Sequence, residues 1–256
     1  MKGRLGAQPL SPLGEGQAFI DAIRQAVDQS ELALRLDQIS RELGFSHYAL
    51  IHHVDHRSAG ETMIRLENYP ESWVGTFLEK ELYSWDPIVV ASNRTNAAFA
   101  WSEVADIIRI TNRQRDVMKA AAQEGLGDGF TVPIHMPGQV SASCSFAMRT
   151  GRALPHHHLG MVQLVGAFAF QTARALTEKG ALPVERVALT PRQLDCIVLA
   201  GRGKSDWEIG RILGLKEDTV TEYLDAARTR YGVARRIQLV MRALQDGHIA
   251  LSDLVQ

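Results

Sequence analysis

Aromatic residues and one carboxylate in the first half of the chain have the types and spacing of a small-molecule pocket. Tyr69, Trp73 and Phe77 follow one another at intervals of four residues, so a helix would place them on one face. Asp86 comes shortly afterwards, and burying its carboxylate is costly unless a partner donates a hydrogen bond to it. Pockets for amphiphilic molecules combine aromatic walls with a few convergent polar groups. This set therefore predicts a cavity that binds an amide-bearing small molecule.

The same residues also have a purely structural interpretation. An aromatic stripe at helical spacing is typical of a hydrophobic core. Asp86 directly precedes Pro87, and this pair is typical of the N-cap and first residue of a helix. Capping does not prevent a carboxylate from binding a ligand, so both interpretations remain open.

A second set of residues, near the C terminus, predicts a DNA-binding motif. Thr190 and Ser205 are good N-caps for two short helices, and Gly214 breaks the chain before a longer amphipathic helix. The apolar face of that longer helix consists of Val220, Leu224, Ala227 and Tyr231. A short helix, a glycine turn and a longer amphipathic helix are the elements of a helix-turn-helix.

The other faces of the longer helix are polar and would meet DNA. They carry Asp218, Thr221, Glu222, Asp225 and Arg228. Positive charge nearby comes from Lys204, Lys216 and Arg230. Lysine and arginine supply the phosphate contacts that dominate affinity for DNA, although any one of these charges could equally serve only to solvate the surface.

Hydrophobic periodicity predicts the elements that hold the first set of residues. Helical patterns cover 19–27, 32–43, 71–83, 114–124 and 155–178, and strand patterns cover 47–54, 62–67, 130–135 and 140–148. Helices precede, interrupt and follow the strands, which predicts an α/β (α+β) sandwich whose antiparallel sheet is flanked by helices. The C-terminal segment predicts an all-α domain of four helices.

Composition shifts suggest the domain boundaries. We expect a flexible tail at 1–16, a ligand-binding domain at 17–178, a linker at 179–188 and a helix-turn-helix domain at 189–256. The helix predicted at 155–178 is apolar on more than one face, so one face could cover the domain and another a second subunit.

Length and composition limit the class of protein. A chain of 256 residues with 45% hydrophobic content is long enough for two domains with their own cores. It contains neither a run of 18 apolar residues nor the apolar core of a signal peptide, so we expect a cytoplasmic protein without membrane contact. The net charge of -1 gives no general indication of a nucleic-acid partner. The two cysteines, Cys144 and Cys196, form neither a disulfide framework nor a metal pattern.

Three segments resemble nucleotide-binding or metal-binding motifs but lack a feature that each motif requires. The segment 201–205, GRGKS, resembles the end of a phosphate-binding loop, but Val198 stands where that loop needs glycine. The segment 125–129, GLGDG, precedes a predicted strand, whereas a dinucleotide fingerprint opens a helix. Three adjacent histidines at 156–158 would point in different directions on a helix and so predict no metal site. We expect no cofactor.

The C-terminal segment resembles the DNA-binding domain of the LuxR-type regulators. The resemblance covers residues 189–244 and includes Leu189, Thr190, Arg192, Gly203, Lys204, Glu208, Ile209, Leu213, Thr219, Val220 and Val233. It implies that the longer helix lies in the major groove, with Thr221 and Asp225 facing bases. Departures from the family pattern are Gln193, Lys216 and Tyr223.

A second resemblance, over residues 69–101 and 124–135, is to the acyl-homoserine-lactone-binding domain of the same family. It is carried by Trp73, Asp86, Pro87, Trp101 and Gly129. The resemblance implies that Trp73 donates to a lactone carbonyl, that Asp86 accepts from the amide N–H and that Trp101 packs against the lactone ring. It also implies that Tyr69 and Ser145 donate to the acyl carbonyl and that Phe77 favours an apolar acyl group. Ile88 completes the predicted ligand-binding set.

Together the two resemblances predict a quorum-sensing regulator that binds an N-acyl-homoserine lactone and, as a homodimer, double-stranded DNA. Two alternatives remain open at this stage. One is a regulator of the same architecture that responds to no lactone. The other is a small-molecule enzyme or storage protein whose helix-turn-helix has no function.

Overall fold

The computed structural model describes residues 12–53, 63–136, 140–178 and 187–255. The chain divides into two compact units: the described residues up to 135 and from 140 to 178 belong to the first, and those from 187 to 255 belong to the second. Most of the linker predicted at 179–188 and the turns predicted near residues 58–60 and 137–138 lie outside the described residues.

The first unit alternates helices with the strands of one sheet. In chain order its elements are α1 (Pro12–Arg24), α2 (Gln29–Glu42), β1 (His47–His52), β2 (Arg65–Glu67), α3 (Glu71–Glu79), α4 (Pro87–Ser92), β3 (Phe99–Ala100), α5 (Val104–Ile107), α6 (Asn112–Gln123), β4 (Leu126–Ile134), β5 (Ala142–Arg149) and α7 (Leu159–Glu178). Short 3-10 turns cover Leu82–Ser84, Trp101–Glu103 and His156–His158.

All strand pairs of this sheet are antiparallel, in the order β2-β1-β5-β4-β3. Side chains alternate between the two faces, as the pleat requires. On one face, Cys144 and Val132 pack against Gly166 of α7, where an added Cβ would come within 3.1 Å of the Cys144 side chain. On the other face, Ser143 and Ser145 point toward α3, α4 and α6. The predicted sandwich of helices around an antiparallel sheet is confirmed.

Several predicted boundaries change. Helix α1 already begins at Pro12, so the predicted tail at 1–16 is too long. The reason is local packing, because a Cβ at Gly16 would lie 2.8 Å from the Met161 sulfur, so this glycine allows a close contact with α7. The helix predicted at 71–83 ends at Glu79, since Glu81 has a left-handed backbone with φ of 52°. The two-residue strand β3 has too little sequence for a periodic pattern.

Every regular element among the described residues of the second unit is a helix. Its elements are α8 (Pro191–Gly201), α9 (Asp206–Leu213), α10 (Glu217–Tyr231), α11 (Arg236–Gln245) and α12 (Leu251–Leu254). The single-turn α12 adds to the four predicted helices. Capping boxes begin α8 at Thr190 and α9 at Ser205, and Gly214 makes the turn before α10 with φ of 69°.

The apolar face predicted for α10 lies in the core of this unit. Val220, Leu224 and Ala227 are buried and pack with residues of α8, α9 and α11, and Tyr231 is half-buried at the edge of the cluster. The opposite faces of α10 are therefore left for solvent or for a partner.

Candidate functional site

A cavity of about 630 Å³ lies between the sheet of the first unit and the helices α3, α4 and α6. The structure places all seven predicted ligand-binding residues in its wall. They are Tyr69, Trp73, Phe77, Asp86, Ile88, Trp101 and Ser145. A volume of this size suits one small molecule.

Helix α3 supplies the aromatic wall. Trp73 is buried, and the centroid of its ring lies 5.5 Å from that of Phe77, which is one helical turn further on. Tyr69 lies just before the helix. Burial raises the pKa of the Tyr69 hydroxyl well above its usual range, so this group is a hydrogen-bond donor at neutral pH.

Asp86 both caps α4 and lines the cavity. Its carboxylate accepts a hydrogen bond from the Ile88 backbone N–H at 2.8 Å. Burial raises the pKa of Asp86 to about 6, against the opposing effect of backbone hydrogen bonds from Ile88 and Val89. At neutral pH the group is therefore mostly a carboxylate that lacks full hydration, which favours a ligand that donates a hydrogen bond to it.

A chain of hydroxyl groups joins the two sides of the cavity. The Trp101 indole N–H donates to the Thr131 hydroxyl at 2.8 Å, and the hydroxyls of Thr131 and Ser145 are 2.8 Å apart. Ser145 also lies close enough to Tyr69 to oppose the rise in the pKa of that hydroxyl. Thr131 thus orients two predicted site residues. Local sequence gives no sign of this role, because only the register of β4 on β5 places Thr131 opposite Ser145.

A second polar group of residues, which was not predicted, lies at the other end of the cavity. These are His53, Asn93 and Ser143. Ser143 could have been found from Ser145, since residues two apart on a strand share a face. His53 falls within the strand pattern predicted at 47–54 and two residues after Ile51, so the same spacing could have found it, whereas Asn93 lies just beyond the end of α4, where periodicity gives no signal.

In the second unit, the predicted DNA-binding residues on α10 are accessible. Asp218, Thr221, Glu222 and Asp225 are exposed, and Arg228 is half-exposed. The Thr221 hydroxyl donates to the Asp206 carboxylate of α9 at 2.7 Å. Asp206 was not predicted, and it links α9 to α10 by this contact.

The predicted basic residues differ in how firmly they are held. Arg228 pairs with Asp225 and donates to the Ala234 carbonyl at 2.8 Å. Arg230 donates to the carbonyl of Ala188 and to Gln193 of α8, so part of its guanidinium anchors the start of the unit.

The two lysines predicted to contact DNA are held less firmly than these arginines. Lys204 lies 3.7 Å from Glu208, whereas Lys216 is exposed and forms no ion pair within the described part of the chain. Lys216 is therefore the predicted cation whose charge is most available to a phosphate.

Within the ranges that the structure describes, no helix has the length and apolarity needed to cross a bilayer. The same residues contain no group of three or more His, Cys, Asp or Glu side chains arranged to hold a metal ion.

Comparison with known protein families assigns both units. Residues 28–173 match the model of the autoinducer binding domain, and residues 187–243 match that of bacterial regulatory proteins of the luxR family. Similar proteins include the transcriptional activator protein LuxR of Aliivibrio fischeri, 26% identical, covering 90% of this chain and 93% of the relative. The quorum sensing-dependent transcriptional regulator RpaR of Rhodopseudomonas palustris is 30% identical over 91% of this chain and 94% of its own length.

Solved structures show the same fold. SdiA of Escherichia coli matches with a TM-score of 0.66 at 18% identity, covering 92% of this chain and 98% of SdiA. A structure of SdiA in complex with octanoyl-rac-glycerol matches with a TM-score of 0.67 at 20% identity, covering 95% and 99% of the two chains.

Proposed function

Because this chain belongs to the LuxR family of transcriptional regulators, with an autoinducer binding domain followed by a LuxR-type helix-turn-helix domain, we propose that its signal is an N-acyl-homoserine lactone. In this proposal the cavity of the first unit holds the lactone and the second unit binds double-stranded DNA in the cytoplasm. The protein acts as a homodimer and binds its ligand without turnover.

The observation that carries this proposal is the meeting of Trp73 and Asp86 in one cavity. The Trp73 indole N–H would donate to the lactone carbonyl, and the Asp86 carboxylate would accept from the amide N–H. The hydroxyls of Tyr69 and Ser145 would donate to the acyl carbonyl. Such a ligand would offer an acceptor to each of these donors and a donor to the Asp86 carboxylate. Polar groups that are shielded from water need such partners, because leaving them unpaired is costly.

Apolar contacts complete the proposed site. Trp101 would pack against the lactone ring, and Phe77 and Ile88 would contact the start of the acyl group. These side chains contribute burial of apolar surface, which is the main favourable term in binding a molecule of this kind.

On the DNA side, α10 would enter the major groove as the recognition helix. Thr221 and Asp225 would face bases, with Asp218 and Glu222 beside them. Lys204, Lys216 and Arg228 would contact phosphates, and Arg230 would do so with the donors that it does not use on α8. A two-fold arrangement of two such helices reads half-sites about one helical turn apart.

Helix α7 supports a homodimer. It buries Val162 and Val165 in the core of its own unit and leaves Leu164 44% exposed. A lactone that stabilises this unit would also stabilise the dimer, and at 100 times its dissociation constant a ligand adds about 2.7 kcal/mol to the folded state.

The proposal can be tested with the full-length protein and a random pool of DNA duplexes, selected with and without N-heptanoyl-homoserine lactone. We expect the lactone to raise the melting temperature and to enrich a two-fold symmetric sequence. Its half-sites should lie about 10 base pairs apart from centre to centre. Enrichment that is identical with and without any lactone would support the ligand-independent alternative instead.

A matched pair of variants assigns the effect to the cavity. Asp86→Ala should abolish the shift in melting temperature, whereas Asp106→Ala should keep it, since Asp106 is exposed and lies outside the cavity wall. A normal response of Asp86→Ala would show that the ligand binds elsewhere.

A further inference from the structure

The cavity has a second polar end, opposite the one that holds Asp86. Asp86 and Asn93 are the N-cap and C-cap of α4, and both line the cavity. Seven residues of helix span about 10 Å at a rise of 1.5 Å per residue. The polar group of Asn93, His53 and Ser143 therefore lies about one helix length from the amide-binding end.

The sheet gives a second distance, along the opposite wall from Ser145 to Ser143. Ser145 pairs with Ala49 and Thr131, and Ser143, two residues earlier on β5, pairs with Ile51. Residues two apart on one strand are separated by about 7 Å. A ligand whose acyl carbonyl reaches Ser145 would thus pass Ile51 and arrive beside Ser143.

His53 is the residue at this end whose hydrogen bonding is incomplete. Its Nε2 lies 2.8 Å from the Ser143 hydroxyl. Its Nδ1 is buried and has no hydrogen-bond partner among the described residues. Because that atom has less than 1 Å² of accessible surface, a ligand in the cavity cannot reach it and meets instead the Ser143 hydroxyl, which lines the wall and is oriented by His53. A serine hydroxyl can take part in more than one hydrogen bond, so it can bind a ligand while it pairs with His53.

The described residues at this end offer a ligand no unpaired charge. Burial lowers the pKa of His53 to about 4, against a smaller opposing effect of a hydrogen bond with the Asn93 side chain, so the ring is neutral near pH 7. Arg65, which also lines the cavity, is held by Glu67, with its Nε 2.8 Å from the carboxylate. A carboxylate on the ligand would therefore lack a free cation here, whereas a neutral hydroxyl can donate or accept, whichever tautomer His53 adopts.

On the basis of the proposed lactone binding at the Trp73 end, we propose that the signal carries a hydroxyl group far out on its acyl chain, where it hydrogen-bonds the Ser143 hydroxyl that His53 orients. An extended chain covers about 1.2 Å per bond, so about six bonds separate this oxygen from the acyl carbonyl carbon. The chemical class is an N-acyl-homoserine lactone with a distal hydroxyl, and the 6-hydroxyhexanoyl group has the matching length.

The test compares three ligands by calorimetric titration of the full-length protein. N-(6-hydroxyhexanoyl)-homoserine lactone places oxygen at Ser143, and N-heptanoyl-homoserine lactone places a methyl group at the same point. N-(3-hydroxyhexanoyl)-homoserine lactone is an isomer of the first with its oxygen near the amide. We expect the 6-hydroxy compound to bind about tenfold more tightly than either of the others.

Variants assign the preference to the His53–Ser143 pair. Ser143→Ala should remove it and His53→Phe, which no longer orients the Ser143 hydroxyl, should reduce it, whereas His156→Phe, at an exposed histidine outside the cavity, should leave it unchanged. If His53→Phe does not fold, the three-ligand comparison on the unaltered protein still decides.

The outcomes separate the two proposals. Binding of all three lactones with equal affinity, or tightest binding of the heptanoyl compound, would overturn the distal hydroxyl and leave the lactone site standing. A failure of all three to bind would overturn the lactone site itself, and the inference about Ser143 and His53 with it.

Discussion

The indole ring of Trp101 lies directly against the backbone of Gly129. A Cβ added at Gly129 would be 2.5 Å from Cε2 of that ring, which is far closer than real contacts allow. Glycine at this position of β4 therefore sets how deeply Trp101 can sit in the wall of the cavity.

Substitution of this glycine should disturb both folding and binding. In Gly129→Ala the added methyl group must displace the Trp101 ring, and overpacking of this kind costs about 1–3 kcal/mol. We expect a lower free energy of unfolding in urea and weaker lactone binding. Gly160→Ala is the matched control, because nothing lies within 4 Å of an added Cβ there. If Gly129→Ala binds the lactone and unfolds like the unaltered protein, Trp101 does not depend on this contact.

The hydroxyl of Thr131 should matter more than its size. Thr131→Val keeps the shape but leaves the buried Trp101 N–H without its acceptor, which costs about 1–3 kcal/mol. The loss should appear in urea unfolding of the empty protein. Thr131→Ser keeps a hydroxyl and should lose less, so equal losses in the two variants would argue for packing as the cause.

Binding of the lactone should weaken at acidic pH through Asp86. Because burial raises the pKa of Asp86 to about 6, the empty folded protein favours the protonated form more than the unfolded chain does. Its contribution to stability is present below the unfolded pKa near 3.8 and is lost as pH rises through about 6. The carboxylate that forms accepts the ligand amide N–H, so the ligand restores stability mainly above pH 6.

The expected size of this effect follows from the ionised fraction. With a pKa of about 6, about one molecule in ten is ionised at pH 5, so affinity should fall about tenfold between pH 7.5 and pH 5. Calorimetric titration at both values measures it. Asp86→Asn has no such group and should show a flat profile, and a flat profile in the unaltered protein would mean that the amide does not bind a carboxylate.

Lys216 should contribute to DNA binding without contributing to sequence preference. Lys216→Ala should weaken binding to cognate and random duplexes alike and reduce the slope of log affinity against log salt by about 1. Fluorescence anisotropy over a salt series gives this slope. Lys119→Ala, which removes an exposed lysine of the first unit, is the control and should leave the slope unchanged. Loss of affinity for the cognate duplex alone would instead indicate a base contact.

Much of the ligand site could be predicted from local sequence. Trp73 and Phe77 are one turn apart on α3, Tyr69 lies two residues before this helix, and Asp86 with Pro87 marks a helix start, so a short stretch of chain determines each of these positions. The buried face of α10 followed from the same periodicity.

The parts that could not be predicted depend on contacts between distant residues. Thr131 reaches Trp101 across 30 positions of the chain, and His53 reaches Ser143 across 90. The anchoring of Arg230 on Ala188 depends on how α10 packs near the start of α8. A single sequence shows that these residues are polar, but only the fold shows which partners they meet.

The central claim is that Asp86 binds the amide N–H of the signal, and replacing this one atom of the ligand tests it most directly. The measurement is a calorimetric comparison of N-heptanoyl-homoserine lactone with the ester in which oxygen replaces the amide nitrogen. On the unaltered protein the ester should bind about a hundredfold more weakly, because the carboxylate then faces an oxygen instead of a donor. On Asp86→Ala the two ligands should bind with similar, weak affinity. Equal affinity of both ligands for the unaltered protein would contradict the account.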